Sequence, residues 1–212
     1  MTFQILKPAE LIGVYDTETT GFPLFKQPSN HVGQPHLVDL CLRLYSAEGE
    51  LVDEMEAMVR PDGWTVPKSA SDVHGITTDI ATINGIDEIE AVSKFGHMHK
   101  RAALRVAHNC AFDDRIMRIA IKRFFGEEAA DRFKLKPTYC TANASKPIIK
   151  LPPTEKMLKT QFRNSFKTPN LAEALLFFTG RELEGAHRAK VDTVACAEVF
   201  FALQKRLAGA SQ

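Results

Sequence analysis

Long apolar runs and closely spaced cysteines are missing from this sequence of 212 residues, and no secretory leader is expected from its N-terminus. Crossing a bilayer as a helix takes about 20 consecutive apolar residues, and no stretch comes near that, so no membrane partner is expected. The N-terminus, Met1-Thr2-Phe3-Gln4-Ile5-Leu6-Lys7, has no basic stretch leading into a long apolar core, which argues against a secretory signal. The four cysteines, at 41, 110, 140 and 196, form no CxxC pair. Cys41 and Cys196 fall inside apolar periodic segments, where a free thiol packs as a small hydrophobe. The expectation is a reduced, cytoplasmic protein with neither disulfides nor a zinc site. Internal repeats and dividing linkers are also absent, so residues 1–212 are expected to form a single domain. With 44% hydrophobic and 25% charged residues, the chain can bury a core of ordinary size.

Net charge is small, +1, but it is segregated. Residues 1–60 hold nine acids and four bases. Residues 134–167 hold eight bases (Lys134, Lys136, Lys146, Lys150, Lys156, Lys159, Arg163, Lys167) against Glu155 alone. On charge alone the basic stretch reads as a solvated loop. A surface that tracks phosphates becomes the better account if a nucleic-acid site exists elsewhere.

Periodicity orders the chain. A short strand, 11–15, runs into Asp16. Val38, Leu40, Leu42 and Leu44 alternate with Asp39, Cys41, Arg43 and Tyr45, the period of a strand. The turn 47–50 leads to a second alternating run, 51–59, which must be its antiparallel neighbour. Beyond Pro61-Asp62-Gly63 the pattern changes to helix over 86–101, buried strand over 104–107 and helix over 112–124. Residues 137–141 give a weak strand signal, and 143–169, with Pro147, Pro152, Pro153 and Pro169, reads as basic and irregular. Asn170 caps a helix through Phe178 with Gly180 beyond it, and a last helix covers about 189–207. A meander followed by alternating helices and strands indicates one α/β domain with a mixed sheet.

Three groups carry candidate chemistry. Asp16 and Glu18 stand where the first strand ends, two residues apart, so their carboxylates project to one side. Alone, the pair reads as solvated acids in a turn. Asp113 closes His108-Asn109-Cys110-Ala111-Phe112-Asp113, which follows a strand and opens a helix. An acid there complements the helix dipole, but it also occupies the strand-end position where α/β sheets form crevices. His187 precedes the last helix, and Asp192 lies in its first turns between Val191 and Val194, where a buried carboxylate requires a partner or a metal. Four carboxylates suit a hard divalent ion, Mg²⁺ or Mn²⁺, held by few protein oxygens and by substrate phosphate. A pair of such ions suits in-line phosphoryl displacement, and a histidine nearby suits a general base.

Together, DTETTG at 16–21, HNCAFD at 108–113 and HRAKVD at 187–192 resemble the motifs of the DEDDh (DnaQ-like) 3′–5′ exonuclease superfamily. That superfamily includes the proofreading subunit of bacterial replicative polymerase, RNase T and oligoribonuclease. Val73-His74-Gly75-Ile76-Thr77 adds a fourth match in the same order. The resemblance implies a ribonuclease H-like fold, a five-stranded mixed sheet flanked by helices. It also implies that Asp16, Glu18 and Asp192 hold one metal ion, that Asp16 and Asp113 hold a second, and that His187 deprotonates the attacking water. Thr19, His74, His108 and Phe112 then fall on positions lining the terminal-nucleotide pocket, although Phe112 also fits a core stripe and His108 also fits a loop-orienting role.

The expected activity is removal of nucleoside 5′-monophosphates from single-stranded DNA. The first alternative is an exoribonuclease or oligoribonuclease with the same chemistry; a second is a non-catalytic nucleic-acid-binding module. The sequence ends at Gly209-Ala210-Ser211-Gln212 without the extension by which the bacterial proofreading subunit grips its polymerase. The expectation is therefore a stand-alone enzyme, or one recruited through another surface. The stretch 143–169 matches the proofreading subunits poorly and is expected to contact the nucleic-acid backbone.

Overall fold

A computed structural model describes residues 10–209. Five strands form one sheet in the order β3-β2-β1-β4-β5: β1 (Leu11–Thr19), β2 (Leu37–Tyr45), β3 (Leu51–Met58), β4 (Ala102–Ala107) and β5 (Thr138–Cys140). The first three make the antiparallel meander, and β4 and β5 add parallel to β1. Eight helices accompany them among the described residues: α1 (Lys68–His74), α2 (Thr78–Asn84), α3 (Glu88–His99), α4 (Cys110–Lys134), α5 (Thr141–Ile149), α6 (Glu155–Leu158), α7 (Leu171–Thr179) and α8 (Ala189–Gly209). This is the expected ribonuclease H-like arrangement.

The sheet is covered on both sides. On one face Tyr15, Leu40, Leu42 and Leu44 pack with Phe95 of α3 and Met117 of α4. On the other, Ile12, Val14 and Tyr45 pack with Cys196 and Phe200 of α8. Double coverage accounts for the burial of β2: every residue but Arg43 is buried along it, so its alternation separates two cores rather than core from solvent. Asp39 and Cys41 thereby lie under α8.

The first strand is also longer than its apolar run. β1 continues through Asp16 and Glu18 to Thr19 because β2 pairs with it that far. Its other neighbour stops early, since pairing with β4 ends at Val14 opposite Val106. One edge of residues 16–19 is therefore open, and that opening is the crevice.

Helix ends follow local chemistry. Asn170 and Glu173 form a reciprocal capping box at α7, and Gly180 terminates that helix. The helix expected to end at Phe124 breaks two residues later at Gly126 (φ 81°), then resumes to Lys134. Residues 141–149 are helical despite Pro147, so only the later part of the basic segment is irregular. The helices α1 and α2, seven residues each, are too short to show a periodic stripe. Among the described residues no helix is long and apolar enough to cross a membrane, and all four cysteines are free.

Arg105 on β4 ties the layers together. It is 2% exposed, binds Asp114 at 2.6 Å and the Lys136 carbonyl at 3.1 Å, and lies 4.1 Å from the Phe133 ring. Tyr15 of β1 also donates to Asp114. The neighbouring acids 113 and 114 are thus separated in role: Asp114 is consumed by this buried pairing, and Asp113 is left for the crevice.

Close packing where α2 meets the sheet gives a stability test. A Cβ on Gly85 would lie 2.4 Å from the Ala81 carbonyl oxygen and 2.4 Å from the Arg60 nitrogen. Both are backbone atoms already used in hydrogen bonds. Gly85→Ala is expected to destabilise the protein by roughly 1–3 kcal/mol through overpacking, read as a lower urea midpoint at unchanged m-value. An unchanged midpoint would mean that the chain relaxes there without cost.

Candidate active site

The crevice is built from three element ends. Asp16 and Glu18 extend from β1 on the face that carries Ile12 and Val14, hence toward α8. Across the antiparallel register Glu18 stands opposite Asp39, and Asp16 opposite Cys41. Asp113, in the first turn of α4, accepts hydrogen bonds from the Thr17 backbone nitrogen at 3.1 Å and from Thr17 Oγ1 at 2.8 Å. Asp192, in the first turn of α8, accepts the His187 backbone N–H at 3.0 Å. His187 itself has φ 65°, a left-handed conformation that histidine tolerates better than most residues. Its ring is exposed, and a ring nitrogen lies within 4.8 Å of carboxylate oxygens of Glu18 and Asp192, which are equally close to each other.

These acids oppose one another. Burial, then the charges of Asp113, Asp192, Glu18 and Asp39, push Asp16 well above the usual carboxylate range. Burial and the Asp192 and Asp39 carboxylates push Glu18 up to about 8. Burial likewise carries Asp113 up to about 7, against the lowering effect of its bonds to Thr17. Burial also raises Asp192, partly offset by the His187 N–H. Arg188 lies closest to offsetting this charge, and it is bound to Asp39 at 3.1 Å.

The donor set fits a hard divalent cation. It consists of carboxylate oxygens whose charge Thr17, the His187 N–H and Arg188 offset only in part, and one buried oxygen of Asp192 has no hydrogen-bond partner. A cation among them would remove the repulsion and satisfy that oxygen, as burial of a charge requires.

Asp39 belongs to this site and was missed in the sequence. It is 1% exposed, and its Oδ2 accepts from Arg188 Nε at 3.1 Å and from the Ala189 backbone nitrogen at 3.3 Å. Lys190 adds an ion pair of 2.7 Å to Glu54 on β3. The start of α8, and with it the His187 turn, is bolted to β2 and β3. The signal available in the sequence was an acid in the middle of an apolar strand, which alternation alone does not place on a buried or an exposed face.

The four expected pocket residues separate into two kinds. Thr19, 7% exposed, uses its hydroxyl to close the turn at Gly21, donating to the carbonyl at 2.7 Å. His74 ends α1 against the Thr19 backbone, and burial lowers its pKa. Phe112 meets Phe22 edge-on, with ring centroids 6.0 Å apart. Phe22 is 82% exposed at this mouth, an apolar face that the sequence reading passed over. His108 is different. Its Nδ1 bonds Thr141 Oγ1 at 2.9 Å and its Nε2 bonds the Pro169 carbonyl at 3.1 Å, so both ring nitrogens are spent on fastening loops.

The exonuclease family model of RNase T type matches residues 14–200. No curated protein sequence matches the chain. Among solved structures, Escherichia coli exonuclease I in complex with a dT13 oligonucleotide is similar with a TM-score of 0.70 at 18% identity, over 95% of this chain and 43% of that one. Exonuclease I from Methylocaldum szegediense gives 0.65 at 17% identity, over 93% of this chain and 41% of that one. At such identities the likeness is one of fold, and the chain spans about two-fifths of the length of those proteins.

Proposed function

Because the chain belongs to the RNase T exonuclease family, we propose that it removes nucleotides stepwise from the 3′ end of single-stranded DNA, releasing nucleoside 5′-monophosphates. The observation that carries this reading is the ring of mutually repelling carboxylates, Asp16, Glu18, Asp113 and Asp192, beside an exposed histidine at the open edge of β1. Such a set has no use in a module that only binds strands, since uncompensated acids repel phosphate.

In this reading Asp16, Glu18 and Asp192 hold one divalent ion, Mg²⁺ or Mn²⁺, and Asp16 with Asp113 holds a second. Bound there, the ions supply neutralisation of charge on the scissile phosphate and a more acidic water. Asp192 orients the His187 turn through its bond to the backbone N–H, and a ring nitrogen of His187 accepts the proton of the attacking water. Asp39, through Arg188 and Ala189, holds that turn against the sheet. Phe112 and Phe22 offer an apolar wall to the terminal base, while Thr19 and His74 line the side nearest the β1 end. DNA as substrate is supported by the oligonucleotides with which the similar fold of exonuclease I is seen, dT13 and dA16.

The experiment is degradation of end-labelled DNA and RNA strands of matched sequence in Mg²⁺, in Mn²⁺ and in chelator. The expected result is metal-dependent shortening of DNA from its 3′ end, with nucleoside 5′-monophosphate as product. Faster loss of RNA would transfer the assignment to an exoribonuclease with the same site. Intact strands under every metal condition would remove it altogether.

A further inference from the structure

We propose that residues 150–167 form a platform on which the single strand stacks as it approaches the crevice, an inference that rests on the reading of the chain as a strand-degrading enzyme. The segment leaves α5 at Lys150 and returns to the same place, where the Lys167 nitrogen donates to the Leu151 carbonyl at 3.0 Å. Two residues on, the Pro169 carbonyl accepts from His108, five residues before Asp113. The excursion is thus rooted at the crevice.

Its surface has the chemistry of a strand binder. Phe162 is 53% and Phe166 43% exposed; Lys156 and Lys159 precede them and Arg163 lies between them, all three also exposed. Elsewhere on the surface cations are commonly matched, as in Lys68–Asp72, Lys94–Glu90 and Arg181–Glu198. No ion pair involves Lys156, Lys159 or Arg163 among the described residues. Two exposed rings with unpaired cations before and between them suit bases and phosphates of one strand, with little preference for sequence.

The loop also has internal order, which a merely solvated basic stretch would not need. Thr154 caps the turn of α6 through Met157, Thr160 Oγ1 accepts the Phe162 nitrogen at 3.1 Å, and the Phe162 carbonyl accepts from Ser165. The backbone that carries Phe162 is thereby held on a defined turn, and Phe166 follows it directly before the Lys167–Leu151 closure. The occupant favoured by charge and by position is single-stranded nucleic acid rather than another protein.

The test compares the wild-type chain with F162A/F166A and with K156Q/K159Q/R163Q, on a 20-nucleotide dT strand and on a dinucleotide. Both variants are expected to lose about tenfold or more in kcat/KM and in chelator-measured affinity on the long strand, and to process the dinucleotide as wild type does. They should differ in salt response: the charge variant flattens the slope of log affinity against log salt by about 2, and the aromatic variant leaves it unchanged. A Phe162→Trp variant keeps a ring in place and should show fluorescence quenching on saturation with the 20-mer and none with the dinucleotide. Unchanged affinity and turnover on the long strand would overturn the platform, as would an equal loss on both substrates or an unquenched Trp. A wild-type chain that degrades neither substrate would instead remove the underlying reading.

Discussion

Asp16→Asn is expected to cut nucleotide release by at least about 10³-fold, the scale of losing electrostatic stabilisation at a reacting phosphate, while raising the melting temperature of the metal-free protein. The two effects have one cause. Asp16 is the carboxylate most surrounded by others, with Asp113, Asp192, Glu18 and Asp39 all raising its pKa beyond what burial alone does. In the absence of a cation its charge opposes folding; in the proposed site it would be the carboxylate that holds the cation. Raised carboxylates stabilise the fold fully only below their unfolded values and lose that contribution as pH climbs through the folded ones. Glu18, moving from 4.5 to about 8, and Asp113, moving from 3.8 to about 7, set the window. The thermal stability of the chelated wild type should therefore fall from about pH 4 to pH 8. Mg²⁺ or Mn²⁺ should reverse that loss, because an ion bound only by the folded state stabilises it. In Asp16→Asn the pH loss should be smaller and the metal-induced rise in melting temperature largely gone. An equal metal response in both proteins would show that the ion binds somewhere other than this cluster.

The same cluster shows what could be read from residues alone and what could not. Asp16, Glu18, Asp113 and Asp192 were legible because each stands beside a change in periodicity, where a strand gives way or a helix begins. The capping box of Asn170 and Glu173 was legible in part, since the Asn170 cap and Gly180 were placed but the reciprocal Glu173 contact was not. Asp39 was hidden by a property of sheets rather than of strands. Alternation tells which residues share a face, and only the layers stacked on the sheet decide whether the second face is wet. With α8 laid over it, the side of β2 that carries Asp39 and Cys41 is a second core with an acid buried in it. The length of β1 was hidden for a related reason. In Asp16-Thr17-Glu18-Thr19 the two threonines favour a strand but the two acids do not, and the extension comes from the pairing partner, β2. His108 was ambiguous in sequence because pocket-lining and loop-fastening histidines use the same residue type. Two ring bonds tie it to Thr141 at the start of α5 and to the Pro169 carbonyl.

His187→Asn should separate a general base from a metal ligand, a distinction that distance alone leaves to experiment. Asparagine tolerates positive φ, so it can occupy the φ 65° turn and keep the backbone N–H bond to Asp192, while lacking a nitrogen able to take up a proton. If the ring deprotonates the attacking water, kcat should fall by about 10²–10⁴-fold, with strand affinity and melting temperature unchanged. Metal titration then discriminates. The ring lies within the same 4.8 Å cluster as Glu18 and Asp192, so a ligating histidine would make the variant require more Mg²⁺ or Mn²⁺ for half-maximal activity. A histidine acting on water would leave that midpoint in place. The base assignment is favoured because an all-oxygen set already suits these hard ions and because the ring is exposed at the mouth, where water arrives. A shifted metal midpoint accompanied by recovery of kcat at saturating metal would reject it.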